Sequence, residues 1–318
     1  MSGRHPLEGG RSAAAGEDGW VRKANPRLGE HGREAPARTG AERGCREAPA
    51  SDGGAVSRVV VTGFGAVRAP SLDGLPEAIR ARASRAERVT QLAFSAAGPA
   101  LRMAGLAMTE GDPRPRMGIV LGTAFGCLLT NAAYQRRLAE GGPSAASPRL
   151  FAATVSNAAA GELSIAYRLG GPAITLTAGG VAGLAAIGHA VDLLQAEQAD
   201  VLLAGGMDAA DAALERWIAA GGLPSTVPIG EGAAMLVLER EEHALGRGAS
   251  AHARIADYRM MFHPDETPRP AAEHPGFAAA GVFDLLARLD GLAPTAVATV
   301  IDWCPSGHGA AVVVQRPE

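Results

Sequence analysis

Large apolar residues are sparse over the first 56 positions and then arrive in regular blocks. Between 1 and 56 only scattered ones, such as Leu7, Trp20 and Leu28, interrupt a run of Gly, Ala, Arg, Glu and Pro. Such a stretch cannot bury enough apolar surface to offset its ordering entropy, so 1–56 is expected to be a disordered tail. The pattern changes at Arg58. Val59-Val60-Val61-Thr62 reads as a buried strand running into a tight turn at Gly63-Phe64-Gly65. Val89, Leu92, Ala93, Ala96, Ala100 and Leu101 fall at helical spacing and predict a helix over 86–104. Further strands are predicted at 117–122, 174–177, 200–204 (ending at Gly205-Gly206) and 233–238, with helices at 126–139, 158–168 and 182–195. Beyond 246 the pattern thins to a strand at 253–258, a polar loop at 261–275, a helix at 278–289 and strands at 296–302 and 309–315. Strands that alternate with helices and are apolar without interruption indicate an α/β fold, with parallel pairs covered on both faces.

Composition narrows the function. Thirty basic and 33 acidic residues leave a net charge of -3, with no sign of a nucleic-acid partner. Of the basic residues only Lys23 is a lysine, so chemistry that needs a lysine in the folded part is excluded. Gly63-Phe64-Gly65 is a weak match to a dinucleotide fingerprint, because Arg68 stands where the third glycine belongs. Cys45, Cys127 and Cys304 are odd in number, widely spaced and without a CxxC. Neither a disulfide framework nor a metal site is expected, and a cytoplasmic location fits best. No uninterrupted apolar stretch of about 18 residues predicts a membrane span, and the N-terminus lacks the apolar core of a signal peptide.

Several segments, read in order, resemble the β-ketoacyl-acyl-carrier-protein synthases of the thiolase superfamily. They are VVVTGFGAV (59–67), GIVLGTAFGCLLT (118–130), the long stretch SPRLFAATVSNAAAGELSIAYRLGGPAITLTAGGVAGLAAIGHA (147–190), DVLLAGGMDAA (200–210), GEGAAMLVLE (230–239) and SGHGAAVVV (306–314). The resemblance implies a thiolase-like αβαβα layered fold, made of two duplicated halves, and a dimer. The chain would divide into the tail 1–56, a complete N-terminal half at 57–245 and a strongly shortened C-terminal half at 246–318.

Family members carry their nucleophilic cysteine on the sharp turn after the Gly-Pro strand, where a helix N-terminus lowers the thiol pKa. The ungapped match from Gly171-Pro172 to Gly188-His189-Ala190 puts Gly180 at that position, and glycine has no side chain to acylate. The family's His-Gly-Thr segment is absent too. Its second oxyanion donor, a Phe N–H, aligns with Pro305, which has no N–H to donate; losing one such donor typically costs about 10²–10³ in rate. Gly179, Gly180, Val181, Cys304, Pro305 and His308 would then line a vestigial pocket, with His308 structural. Cys127, Leu128 and Asn131 on the helix at 127–139, with Asn157, Ile174 and Leu176, would shape a pocket or a dimer interface. Strand 173–177 is, by the resemblance, the one that pairs across the dimer axis. His189 is read as a packed core histidine and Glu231 as a turn or interface carboxylate.

Intact dimer elements beside a missing nucleophile imply a non-catalytic subunit similar to chain-length factors. It would form a heterodimer with an active ketosynthase, or a homodimer, in fatty acid, polyketide or aryl-polyene biosynthesis. An acyl carrier protein is a further partner, and no cofactor is expected. Two alternatives stand beside this reading. One is a thioester enzyme of altered chemistry, a malonyl-carrier decarboxylase or hydrolase that uses the backbone N–H groups at 180–182. The other is a decayed ketosynthase gene.

Overall fold

The computed structural model describes residues 58–106, 113–222, 230–262 and 276–317. The expected tail and most of the expected loop at 261–275 lie outside the described residues.

The strands are β1 (Val59–Val67), β2 (Met117–Gly122), β3 (Ala173–Leu176), β4 (Val201–Asp208), β5 (Gly232–Arg240), β6 (Ala253–Phe262), β7 (Val297–Trp303) and β8 (His308–Gln315). The helices are α1 (Glu77–Ala83), α2 (Arg88–Met103), α3 (Leu128–Gly141), α4 (Pro148–Ala152), α5 (Ala158–Tyr167), α6 (Ala182–Gln195), α7 (Ala212–Trp217), α8 (Glu241–Gly246) and α9 (Ala280–Asp290). All eight strands form one hydrogen-bonded sheet in the order β3-β2-β4-β5-β1-β6-β8-β7. Only β3, β2 and β4 run parallel; the remaining neighbours are antiparallel. The expectation of parallel pairs therefore holds for three strands. An uninterrupted apolar run reports cover on both faces and says nothing of strand direction.

The pleat sorts the apolar residues into two cores. Ile119, Leu121, Leu203, Met235 and Val237 face α1, α2 and α5. Val120, Leu202, Ala204, Leu236 and Leu238 face α6 and α9. Ile255, Val300, Val312 and Val314, from β6, β7 and β8, belong to this second core. The sheet thus curls around α6 and α9 after its β1–β6 junction, and those helices lie between its two wings. The layered fold implied by the resemblance is present as helices, strands, helices and strands. Among the described residues no helix lies on the outer side of β7, where Val297 and Ile301 are 58% and 47% exposed.

The segment at 63–65 corrects one expectation. Gly63 and Gly65 do not end β1 in a turn; the strand bulges between Val61 and Gly63 and continues to Val67. A Cβ at Gly63 would lie 2.2 Å from the carbonyl oxygen of Ala100, and one at Gly65 2.3 Å from that of Ala96. Glycine is needed there because α2 lies directly on the strand. In the same way β4 runs through Gly205-Gly206 to Asp208.

Candidate functional site

At the C-terminal end of β3 the chain passes through Thr177-Ala178, makes a single 3₁₀ turn at Gly179–Val181 and enters α6. Gly179 has φ +61°, a left-handed conformation that a side chain would strain. Val181 is fully buried in the core beneath the turn. A Cβ placed on Gly179 would lie 3.6 Å from both Cβ and Sγ of Cys304, and one on Gly180 3.9 Å from Cys304 Cβ. Apart from the adjoining residues of the chain, nothing else among the described residues comes within 4 Å of either position. The glycine pair thus packs at van der Waals distance from the buried side chain of Cys304.

Cys304 belongs to the hairpin that joins β7 to β8. Its N–H donates to the carbonyl of His308 at 2.8 Å, and the N–H of Gly307 donates to the Cys304 carbonyl at 3.0 Å. Residues 304–307 are therefore a hydrogen-bonded turn with Pro305 second, where a fixed φ is favourable. The structure thus gives Pro305 a turn-forming role that its missing N–H did not announce. Cys304 is 4% exposed, whereas Ser306 and His308 are exposed. The Cys304 Sγ lies 2.8 Å from Ser306 Oγ, which lies 2.9 Å from His308 Nδ1. The imidazole lies tilted against the Phe262 ring, with centroids 4.7 Å apart. Of the expected pocket residues, Gly179, Gly180 and Cys304 come together, with Pro305 and His308 on the same hairpin. Sequence reasoning missed Ser306. The alternate spacing of Cys304, Ser306 and His308 carried the signal.

Asp208 was missed as well. It sits fully buried at the end of β4 and accepts hydrogen bonds from Thr123 Oγ1 at 2.6 Å, the N–H groups of Ala124 and Phe125, and the N–H of Ala278 at 3.0 Å. Burial pushes its carboxyl up to about 6, against the opposing pull of these donors. One carboxylate thereby fixes the loop after β2 and the residues leading into α9. Phe125 and Phe277 meet edge to face across the same place, with centroids 4.6 Å apart.

The residues expected at an interface divide into two groups. Cys127, half-buried just before α3, donates its thiol hydrogen to the Thr154 carbonyl at 3.1 Å, and its sulfur accepts from Asn131 Nδ2 at 3.3 Å. Leu128 and Asn157 are exposed. Phe151 and Ile165 nearby in sequence are each 62% exposed. On β3, by contrast, the half-buried Ile174 and Leu176 pack against the core on the α6 side. β3 lies at the edge of the sheet, so its outer backbone groups have no strand beside them among the described residues. His189 is half-buried on α6, and Glu231 forms an ion pair with Arg88. Among the described residues no cluster of His, Cys, Asp or Glu is placed to hold a metal, and no helix is long and apolar enough to cross a membrane.

Comparison with known proteins agrees with this geometry. The family model for the N-terminal domain of β-ketoacyl synthases matches residues 33–226, opening inside the expected tail. The chain is 35% identical over 205 residues to nodulation protein E of Rhizobium meliloti (strain 1021), covering 59% of this chain and 50% of that protein. It is 30% identical over 206 residues to 3-oxoacyl-[acyl-carrier-protein] synthase 2 of Coxiella burnetii, with the same coverage. With a putative polyketide β-ketoacyl synthase 1 of Streptomyces halstedii it shares 31% over 252 residues, 70% of this chain and 58% of that one. The chain thus spans about half the length of the curated relatives it matches. Among solved structures it shares its fold with the ishigamide ketosynthase/chain length factor. There the TM-score is 0.65 at 18% identity, covering 83% of this chain and 100% of that one. It also shares it with the ketosynthase complex AntDE:AntF, a type II polyketide synthase assembly with its acyl-carrier protein. There the TM-score is 0.68 at 21% identity, covering 82% of this chain and 99% of that one.

Proposed function

Because the chain belongs to the β-ketoacyl synthase family, we propose that it is a non-condensing subunit of the chain-length-factor type. It pairs in the cytosol with a catalytically complete ketosynthase in fatty acid or polyketide biosynthesis, aryl-polyenes included. The observation that carries this reading is the turn from β3 into α6. Where the family resemblance places a cysteine at a helix N-terminus, Gly179 and Gly180 offer no side chain to acylate. The absence of any lysine beyond Lys23 and the missing N–H at Pro305 agree with it. The partner side rests on the sheet edge. β3 ends the sheet, and an edge strand with unpaired N–H and C=O groups is a template for a strand of another subunit. Leu128, Phe151, Val155 and Ile165 add exposed apolar surface on α3, α4, α5 and the loop between the last two.

Co-expression with the ketosynthase encoded beside its gene, followed by size-exclusion chromatography with light scattering, tests the reading. A one-to-one complex is expected, in which condensation needs the partner's cysteine and is untouched by Gly180→Ala. A chain that stays monomeric in the mixture, or a homodimer that excludes the ketosynthase, overturns it.

A further inference from the structure

We propose that the contact between β7 and α9 is a pH-dependent latch. It is closed in mild acid, where Asp302 carries a proton. It is released near neutral pH, where ionisation of Asp302 lets the edge strand part from the first turn of the helix. This goes beyond the subunit role and does not depend on it.

What holds β7 is the first support. Among the described residues it is an edge strand, hydrogen-bonded to β8 alone. Val297 and Ile301 on its outer face are exposed, and of its seven side chains only Val300 and Asp302 are buried. One of the two anchors of the strand is therefore a carboxyl group. The surroundings of that carboxyl are the second support. Asp302 and Asp284 of α9 are 4% and 6% exposed, on elements that pack into the second apolar core. Asp302 Oδ1 accepts from the N–H of Trp303 at 2.8 Å. Oδ2 lies 3.1 Å from the point where a Gly281 side chain would begin, and the Gly281 N–H also donates to the carboxyl. α9 has no side-chain cap from Ala279, so Asp302 serves its first turn from the neighbouring strand.

A charged carboxylate is costly in such a place, and a second one facing it adds repulsion. The groups around Asp302 bring it no cation among the described residues. α9 contributes Asp284 and the Gly281 N–H, β7 the Trp303 N–H, β8 Ala310 directly opposite, and α6 Leu184 against Gly281. The 3₁₀ turn at Gly179–Val181 brings nothing that titrates, and Cys304 has Ser306 as its partner. Arg288, Asp290 and His308 stand exposed. Burial, helped by Asp284, accordingly holds the Asp302 carboxyl up at about 7. Opening β7 returns it to water and to the ordinary 3.8. The closed form thus binds the proton more tightly, so opening rises about tenfold per pH unit between roughly 4 and 7 and levels off above.

The test is hydrogen exchange of the full chain by mass spectrometry from pH 5 to 8.5, with the intrinsic rate of each amide divided out. Opening of 297–303 and 280–284 is expected to rise by about 10²-fold between pH 5 and 8 and to level off above 7. At each pH these amides are expected to be far less protected than those of β2 and β4. In Asp302→Asn the profile is expected to be flat, with the protection that the unaltered chain shows at pH 5. Asp284→Asn is expected to keep the rise but to level off at lower pH. Cys304 gives a second reading. It follows β7 directly and is 4% exposed, so its labelling by methyl methanethiosulfonate, mapped by peptide, tracks the same opening. The ratio of unaltered chain to Asp302→Asn at one pH cancels the thiol's own ionisation. That ratio is expected to rise by about 10²-fold from pH 5 to 8. A flat profile in the unaltered chain, the same rise in Asp302→Asn, or equal protection of β7 and β2 overturns the latch. The first and last are read on the unaltered chain and hold even if Asp302→Asn fails to fold. An unchanged levelling point in Asp284→Asn overturns the part given to Asp284. Because the profile is read on this chain alone, its failure leaves subunit pairing standing, and failed pairing leaves the latch standing.

Discussion

The two wings of the sheet use similar residues to different ends. Strands β3, β2, β4, β5 and β1 lie between two helical layers, and every residue of β2 and β4 is buried. In β7 exposure alternates, because helices α6 and α9 cover only the inner face. The carboxylates follow the same division. Asp200, at the entry to β4, accepts from Arg116 at 2.6 Å and Arg240 at 2.7 Å, and these hydrogen bonds hold its carboxyl at about 2. Asp302, on the inner face of β7, forms no ion pair among the described residues. Burial, with Asp284 nearby, pushes it up to about 7. The lesson is that a fully sandwiched wing tolerates no loss of volume. The half-covered wing is instead sensitive to what its single inner face holds.

The sharpest break of this comparison is Leu236→Ala in β5. Leu236 is fully buried between β5 and the α6–α9 layer, and such truncations cost about 2–5 kcal/mol. Urea unfolding that shows a loss below about 1 kcal/mol would mean that the wing is not held from both sides. Asp302→Asn comes next, with the opposite sign. A carboxyl raised from 3.8 to about 7 contributes stability below pH 4, which is lost as the pH rises through 7. Removing the charge is therefore expected to stabilise the fold by roughly 2–4 kcal/mol at pH 8 and to do little at pH 4. An equal effect at both pH values would show that burial of the charge is not the cause. Asp200→Asn reverses this dependence. A carboxyl held at about 2 stabilises above pH 4, and that stability vanishes as the pH falls through 2. The expected loss is about 1 kcal/mol at pH 7, since the pair lies near the surface. A loss that persists at pH 2 would disprove the ion-pair origin.

How much of this was legible depends on where the information lies. The limits of β2 and α6 match the runs at 117–122 and 182–195, because β2 is apolar throughout between Arg116 and Thr123 and α6 is interrupted only by His189, Asp192 and Gln195. The short helices α1, α4, α7 and α8 were missed, since five to seven residues do not complete enough turns for a helical period to show. Gly63 and Gly205 were misread as strand ends. A glycine signals either a turn or a close backbone approach, and only the position of α2 or the neighbouring strand decides which. At the candidate site, Gly179, Gly180 and Cys304 were anticipated from motif order. Asp208 escaped because its donors come from residues 123–125 and 278, a convergence that no local pattern records.

The smallest expected effect tests the open face directly. Ile301 and Val300 are neighbours on β7, but Ile301 points outward and is 47% exposed while Val300 points into the core and is 3% exposed. Replacing either with Thr keeps a β-branched residue, so strand propensity is largely unchanged. Val300→Thr places a hydroxyl among Val312, α6 and α9, where an unsatisfied donor costs about 1–3 kcal/mol. Ile301→Thr leaves its hydroxyl in water and is expected to stay within about 0.5 kcal/mol, with weaker binding of an apolar dye. Thermal unfolding of the two variants side by side decides the matter. If Ile301→Thr costs as much as Val300→Thr, something covers the outer face of β7, and the difference between the wings disappears.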